Sequence, residues 1–203
     1  LLVRVGWGSW GGELGGDMVG GTRGLGGADV GGALSIDEVQ VGSLINAGLH
    51  FASNDNLTLE VYSTASQGTH LSTSLKDLQK LGVDAVAVSG TDNVFVELGG
   101  LSAADLNTGV GIASFDDALN VTVDVNGLDE FKLASELGVQ LHDAHIDNVE
   151  LSLGHAGHNF ATDLSNLLNN VDFTTELSAL KGDQVGVTLD LGGANVAGAL
   201  SID

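Results

Sequence analysis

Four times the chain reads an aspartate, an amide and an apolar residue that opens a strict alternation. The copies are "DNLTLEV" at 55–61, "DNVFVEL" at 92–98, "DNVELSL" at 147–153 and "DQVGVTLDL" at 183–191. A period of two puts successive side chains on opposite faces, so each copy predicts a half-buried strand with a valine and leucine inner face. Asp-Asn predicts the turn that precedes it, because both side chains bond their own backbone and tolerate positive φ. "LNVTVDV" at 119–125 is a variant without the aspartate, and "DMVGGT" at 17–22 is a degenerate copy. From 17 to 183 the copies recur on average every ~33 residues, the length of a structural repeat.

Short helices precede the strands. "TSLKDLQKLG" puts Leu75, Leu78 and Leu81 on one helical face, and Gly82 stands where a left-handed C-cap belongs. "VGSLINAG" ending at Gly48, "LDEFKLASELG" ending at Gly138 and "ELSALKG" ending at Gly182 predict the same design, and "TDLSNLLNN" at 162–170 is a version ended by Asn. One such unit cannot bury its apolar face alone, and stacking neighbours would do so. The expected fold is therefore a β-rich α/β repeat, with short helix–strand–turn–strand units stacked into a solenoid-like array. About five units fill residues 38–203.

A longer repetition encloses these units. Residues 14–37 align with 180–203 at 17 of 24 positions, and "LGGADVGGALSID" at 25–37 returns as "LGGANVAGALSID" at 191–203. Residues 1–37 form a separate glycine-rich segment with almost no helical potential, and they predict irregular or tightly packed β structure. The chain starts at Leu1 and reads as a processed form or a stretch of something longer.

Charge restricts the partners. Twenty-seven acids against six bases give a net charge of −21 over 203 residues. The bases, Arg4, Arg23, Lys76, Lys80, Lys132 and Lys181, are scattered, whereas nucleic acid and anionic membranes require clustered Lys and Arg. No nucleic-acid partner is expected. No apolar run is long enough to span a bilayer, so no membrane insertion is expected either. With no Cys, disulfides, thiol catalysis and Cys-ligated zinc are excluded.

The motifs of enzyme chemistry are weak. "GWGSWG" at 6–11 has the spacing of a dinucleotide fingerprint, but the glycines after it cannot form the helix whose N-terminus would face a pyrophosphate. His142/His145 and His155/His158 have H-x-x-H spacing without the converging third ligand that zinc needs. No G-x-S-x-G or S-x-x-K is present, and the chain is not expected to be an enzyme. The acidic outer faces of the strands carry the one functional set, Glu60, Glu97, Asp124, Glu150 and Asp190. Their hard oxygen ligands suit calcium, as a supportive and not an obligatory cofactor.

"LKDLQKLGVDAVAVSGTDNVFVELGGLSAADL" at 75–106 resembles repeats of large secreted, acidic bacterial surface proteins of the adhesin-like and RTX type. Leu78, Leu81, Gly82, Val83, Asp84, Asp92, Asn93, Val94 and Val96 carry the likeness, and "ELGVQLHDAHIDNVELSL" repeats it more loosely. The calcium nonapeptides of RTX chains are missing. The resemblance implies a secreted or cell-surface location and a structural role: part of a fibre, surface layer or adhesin stalk that associates head to tail with itself. The alternative is a calcium- or carbohydrate-binding module of a secreted bacterial protein.

Overall fold

The computed structural model describes residues 34–51, 55–65, 67–108, 110–152, 167 and 169–190. The expectations placed on "GWGSWG", on His155/His158, on "TDLSNLLNN" and on most of segment 1–37 lie outside the described residues. The elements in chain order are β1 (Leu34–Ile36), α1 (Glu38–Asn46), β2 (Leu57–Tyr62), β3 (Thr69–His70), α2 (Leu75–Leu81), β4 (Ala85–Ser89) and β5 (Asn93–Glu97). A 3-10 turn (Asp105–Thr108) follows, then β6 (Ser114–Phe115), β7 (Asn120–Val125), α3 (Leu128–Glu136), α4 (Gly138–Asp143), β8 (Asn148–Ser152), α5 (Val171–Gly182) and β9 (Gly186–Asp190).

The strands form two sheets in which every pairing is parallel. One has the order β1-β2-β4-β6 and the other β3-β5-β7-β8-β9. The alternation seen in sequence determines their faces. Leu57, Leu59 and Val61 on β2, Val94 and Val96 on β5, and Val121, Val123 and Val125 on β7 all point into one hydrophobic core. Leu75, Leu78 and Leu81 of α2 join them, as the helical spacing predicts. Phe131 of α3 and Phe173 of α5 meet with ring centroids 5.2 Å apart and tie those helices together.

This arrangement overturns the solenoid-like array. The fold is α/β: the described residues form two parallel sheets of four and five strands with five helices, and no repeating coil of equal units. Two observations give the physical reason. The strands on either side of the turn at 90–92 do not pair with each other: β4 pairs with β2 and β6, whereas β5 pairs with β3 and β7. The connections are also unequal. A 3-10 turn stands between β5 and β6, and two successive helices stand between β7 and β8. A parallel neighbour needs a crossover of a dozen or more residues, and here each crossover is built differently.

The ends of the helices divide in the same way. Gly82 caps α2 with φ 82 and ψ 39, and its N–H donates back to Leu78 and Gln79 carbonyls. Gly48 follows α1 with φ 68. Gly138 departs from the expectation: α3 ends at Glu136, and Gly138 opens α4 in a helical conformation. It has to be small because a Cβ there would strike the Asp183 carboxylate. Gly182 is the last residue of α5, and the left-handed residue comes two positions later, at Gln184 with φ 66. Before β5 the positive φ belongs to Gly90 (φ 90), not to the Asp-Asn pair. β1 pairs with β2, and Asp37 caps α1 through a reciprocal bond pair with Gln40.

Candidate functional site

The outer face of the five-stranded sheet concentrates the polar chemistry. Parallel pairing puts the facing residues of neighbouring strands side by side, ~4.8 Å apart. Asn93 therefore lies beside Asn120, and the Asn120 amide donates to Asn93 Oδ1 at 3.4 Å. Asn148 and Thr188, a diagonal pair on β8 and β9, exchange hydrogen bonds at 3.0 and 3.2 Å.

One row is wholly acidic over three strands. Glu97 pairs with Asp124, Asp124 with Glu150, and Glu150 with Thr188. Like charges directly opposite repel, and the middle member bears most of the strain. Burial pushes the Asp124 carboxyl up to about 6, Glu150 and Glu97 add to the rise, and the nearby His70 opposes it. Asp124 Oδ1 is buried without a hydrogen-bond partner, while Oδ2 lies 3.5 Å from His70 Nδ1. His70 reaches it from β3 across β5, with its ring stacked on Phe95 at a centroid distance of 4.6 Å and an interplanar angle of 15°. The arrangement holds and releases a proton in mild acid.

The structure divides the expected calcium set. Glu97, Asp124 and Glu150 share the row, and Asp190 stands further along β9, opposite Ser152, whose hydroxyl is 3.5 Å from its Oδ2. Glu60 is in the other sheet, accepting a 2.8 Å hydrogen bond from Ser35. The reason is the turn, which sends the strand before it and the strand after it to different sheets. Among the described residues, no group of three or more His, Cys, Asp or Glu could hold a metal ion.

His142 and His145 also part company. His142 lies 3.8 Å from Asp143 on α4, whereas His145, at φ 60, places Nδ1 2.7 Å from the Phe115 carbonyl and 2.9 Å from Asp117. A polar hollow of about 480 Å³ opens over the β4–β5 turn, lined by Val88, Thr91, Asp92, Asn93, Asp116 and Leu119 among others. Sequence reasoning passed over His70 and Phe95. The signal was present in "NVFVE", where an aromatic residue occupies the polar face between Asn93 and Glu97 and so calls for a cover.

Compared with known proteins, the chain matches no family model, no curated sequence and no solved structure. Among the described residues no helix is long and apolar enough to cross a membrane.

Proposed function

We propose that the chain is a structural module of an extracellular fibre, surface layer or adhesin stalk, associating with further copies of itself and carrying no catalysis. The observation that supports this reading is the strand β9. Within the described residues it has one strand neighbour, β8, and its Val187 and Leu189 are only partly buried against the core. The edge strand of a sheet is a template for a strand from another chain. Residues 14–37 return at 180–203 with 17 of 24 positions the same, and matching phrases in two distant parts of one chain favour a head-to-tail contact of unlike surfaces between copies. Contacts of that type do not close into a small ring unless the rotation allows it, and otherwise they grow a filament. The charge of −21 opposes assembly by self-repulsion, so added salt should promote it.

Sedimentation velocity tests the reading, on the full chain and on a version lacking residues 192–203. Species that lengthen with concentration and salt for the full chain, and not for the shortened one, are expected. A full chain that stays monomeric from dilute to concentrated solution overturns it.

A further inference from the structure

We propose that Glu38 guards the β3 edge of the five-stranded sheet, and that the strand it keeps out is β9 of a second copy, a contact that rests on the self-association proposed above. Among the described residues β3 and β9 are the outermost strands of this sheet. Successive N–H groups along a strand point to opposite sides. The Leu71 N–H turns towards β5 and donates to the Phe95 carbonyl at 2.8 Å. The next one, of Ser72, turns the other way, where a further strand would offer a carbonyl.

A side chain stands in for that carbonyl. The Ser72 N–H donates to Glu38 Oε1 at 2.7 Å, and the Ser72 hydroxyl donates to the same oxygen at 3.0 Å. Glu38 is held in place by its helix, since Asp37 and Gln40 close a capping box around the first turn of α1, and Val41 and Leu44 are buried. Covering an edge in this way keeps a sheet from pairing with another chain.

The β9 edge matches the guarded one in main chain and side chain. The Gly186 N–H donates towards β8, to the Asp147 carbonyl at 2.8 Å, so the N–H and carbonyl of Val187 face away from β8. With Val187 beside Leu71 of the next copy, the Val187 carbonyl meets the Ser72 N–H, the donor that Glu38 occupies. The His70–Phe95 pairing, carried on by one residue and two, sets Leu71 beside Val96 and Ser72 beside Glu97. One row then runs Leu71, Val96, Val123, Val149, Val187, apolar throughout. The next runs Ser72, Glu97, Asp124, Glu150, Thr188, acidic in the middle and neutral at both edges. Joining β9 to β3 therefore extends the apolar row and sets Thr188 beside Ser72. Glu150 of one copy and Glu97 of the next stand three strand spacings apart, ~14 Å, which is more than the screening length at physiological salt.

Removing the guard should promote assembly. In sedimentation velocity of the full chain, the concentration at which half is assembled should fall about tenfold in Glu38→Ala, the scale of one hydrogen bond to a charged group. Glu38→Gln, whose amide oxygen still accepts, should change it less. The chain has no Cys, so an introduced pair reads the register. Ser72→Cys with Thr188→Cys should yield disulfide-linked multimers on oxidation while Glu38 is kept, and faster in Glu38→Ala, because facing residues are ~4.8 Å apart. Within one copy these positions are four strand spacings apart, ~19 Å, so the bond joins two copies. Ser35→Cys with Thr188→Cys, which tests the edge of the other sheet, should yield none. A native chain that assembles equally well, or better, than Glu38→Ala overturns the guard and leaves self-association standing. Multimers from the Ser35 pair equal to those from the Ser72 pair overturn the choice of edge. If neither the native chain nor Glu38→Ala assembles, self-association falls and the guard with it.

Discussion

Asp84 and Asp147 hold the same post in different sheets. Each precedes a strand, and each closes a two-bond clasp on its neighbour: Leu57 N–H donates to Asp84 Oδ2 at 2.8 Å, and Val121 N–H donates to Asp147 Oδ2 at 3.1 Å. The aspartate N–H answers by donating to the carbonyl of the same partner, Leu57 at 2.9 Å and Val121 at 3.0 Å. The carbonyl of each aspartate then accepts from the strand on its other side, from Ser114 at 2.9 Å and Gly186 at 2.8 Å. One residue thereby ties three strands at their starts.

Removing such a clasp strands a buried donor, since Leu57 and Val121 are both fully buried. Asp84→Ala and Asp147→Ala should each cost about 1–3 kcal/mol. Asp92→Ala should cost clearly less, because Asp92 ties to the neighbouring strand through its main-chain carbonyl, which accepts Asn120 N–H at 2.7 Å and which alanine keeps. Urea unfolding midpoints at constant m-value compare the three.

Gly82 and Gly42 should respond to alanine with opposite signs. Gly82 combines φ 82 with a backbone neighbour, since a Cβ would lie 2.7 Å from the Phe51 carbonyl oxygen. Alanine there should cost on the order of 2 kcal/mol, from strain and from a displaced main chain. Gly42 is inside α1, and a Cβ there meets nothing within 4 Å. Alanine should stabilise by about 0.4–1 kcal/mol through helix propensity and a less disordered unfolded chain. Thermal unfolding of the two variants checks both signs.

Asp124 makes stability fall as pH rises. Its folded carboxyl is raised from 3.8 to about 6, so the fold binds this proton more tightly than the unfolded chain does. The associated stability is fully present below the unfolded value and is lost as the pH climbs through the folded one. Asp124→Asn removes that loss. It should raise stability at about pH 7.5 by on the order of 1 kcal/mol, a figure reduced for the water that reaches the side chain. The gain should vanish below about pH 4, where the aspartate is protonated in both states. Melting curves of both proteins across that range would contradict this if their difference did not change with pH.

Much of the local structure was legible in the sequence. Val94 and Val96, Val121, Val123 and Val125, and Val149 and Leu151 alternate because a strand has two faces, and all are buried as that period requires. Leu75, Leu78 and Leu81, followed by Gly82, specified a helix, its buried stripe and its end within eight residues. These features depend on neighbours a few positions away, which is the range over which a sequence speaks directly.

Which strands share a sheet was decided only in three dimensions. The left-handed turn at Gly90 sends β4 to one sheet and β5 to the other, and the repeated Asp-Asn phrase gave no sign of it. That division took Glu60 away from Glu97 and Asp124, although all three stand five residues after the first residue of their phrase. It also brought His70 across Phe95 to Asp124, 54 positions along the chain. Gly138 looked like Gly82 in sequence, yet the first is small to admit the Asp183 side chain and the second to turn the backbone left-handed. Alternation and capping were set by the chain's own stereochemistry. Partners across a sheet were set by the register of distant strands, where hydrogen bonds and burial of the whole core are satisfied together.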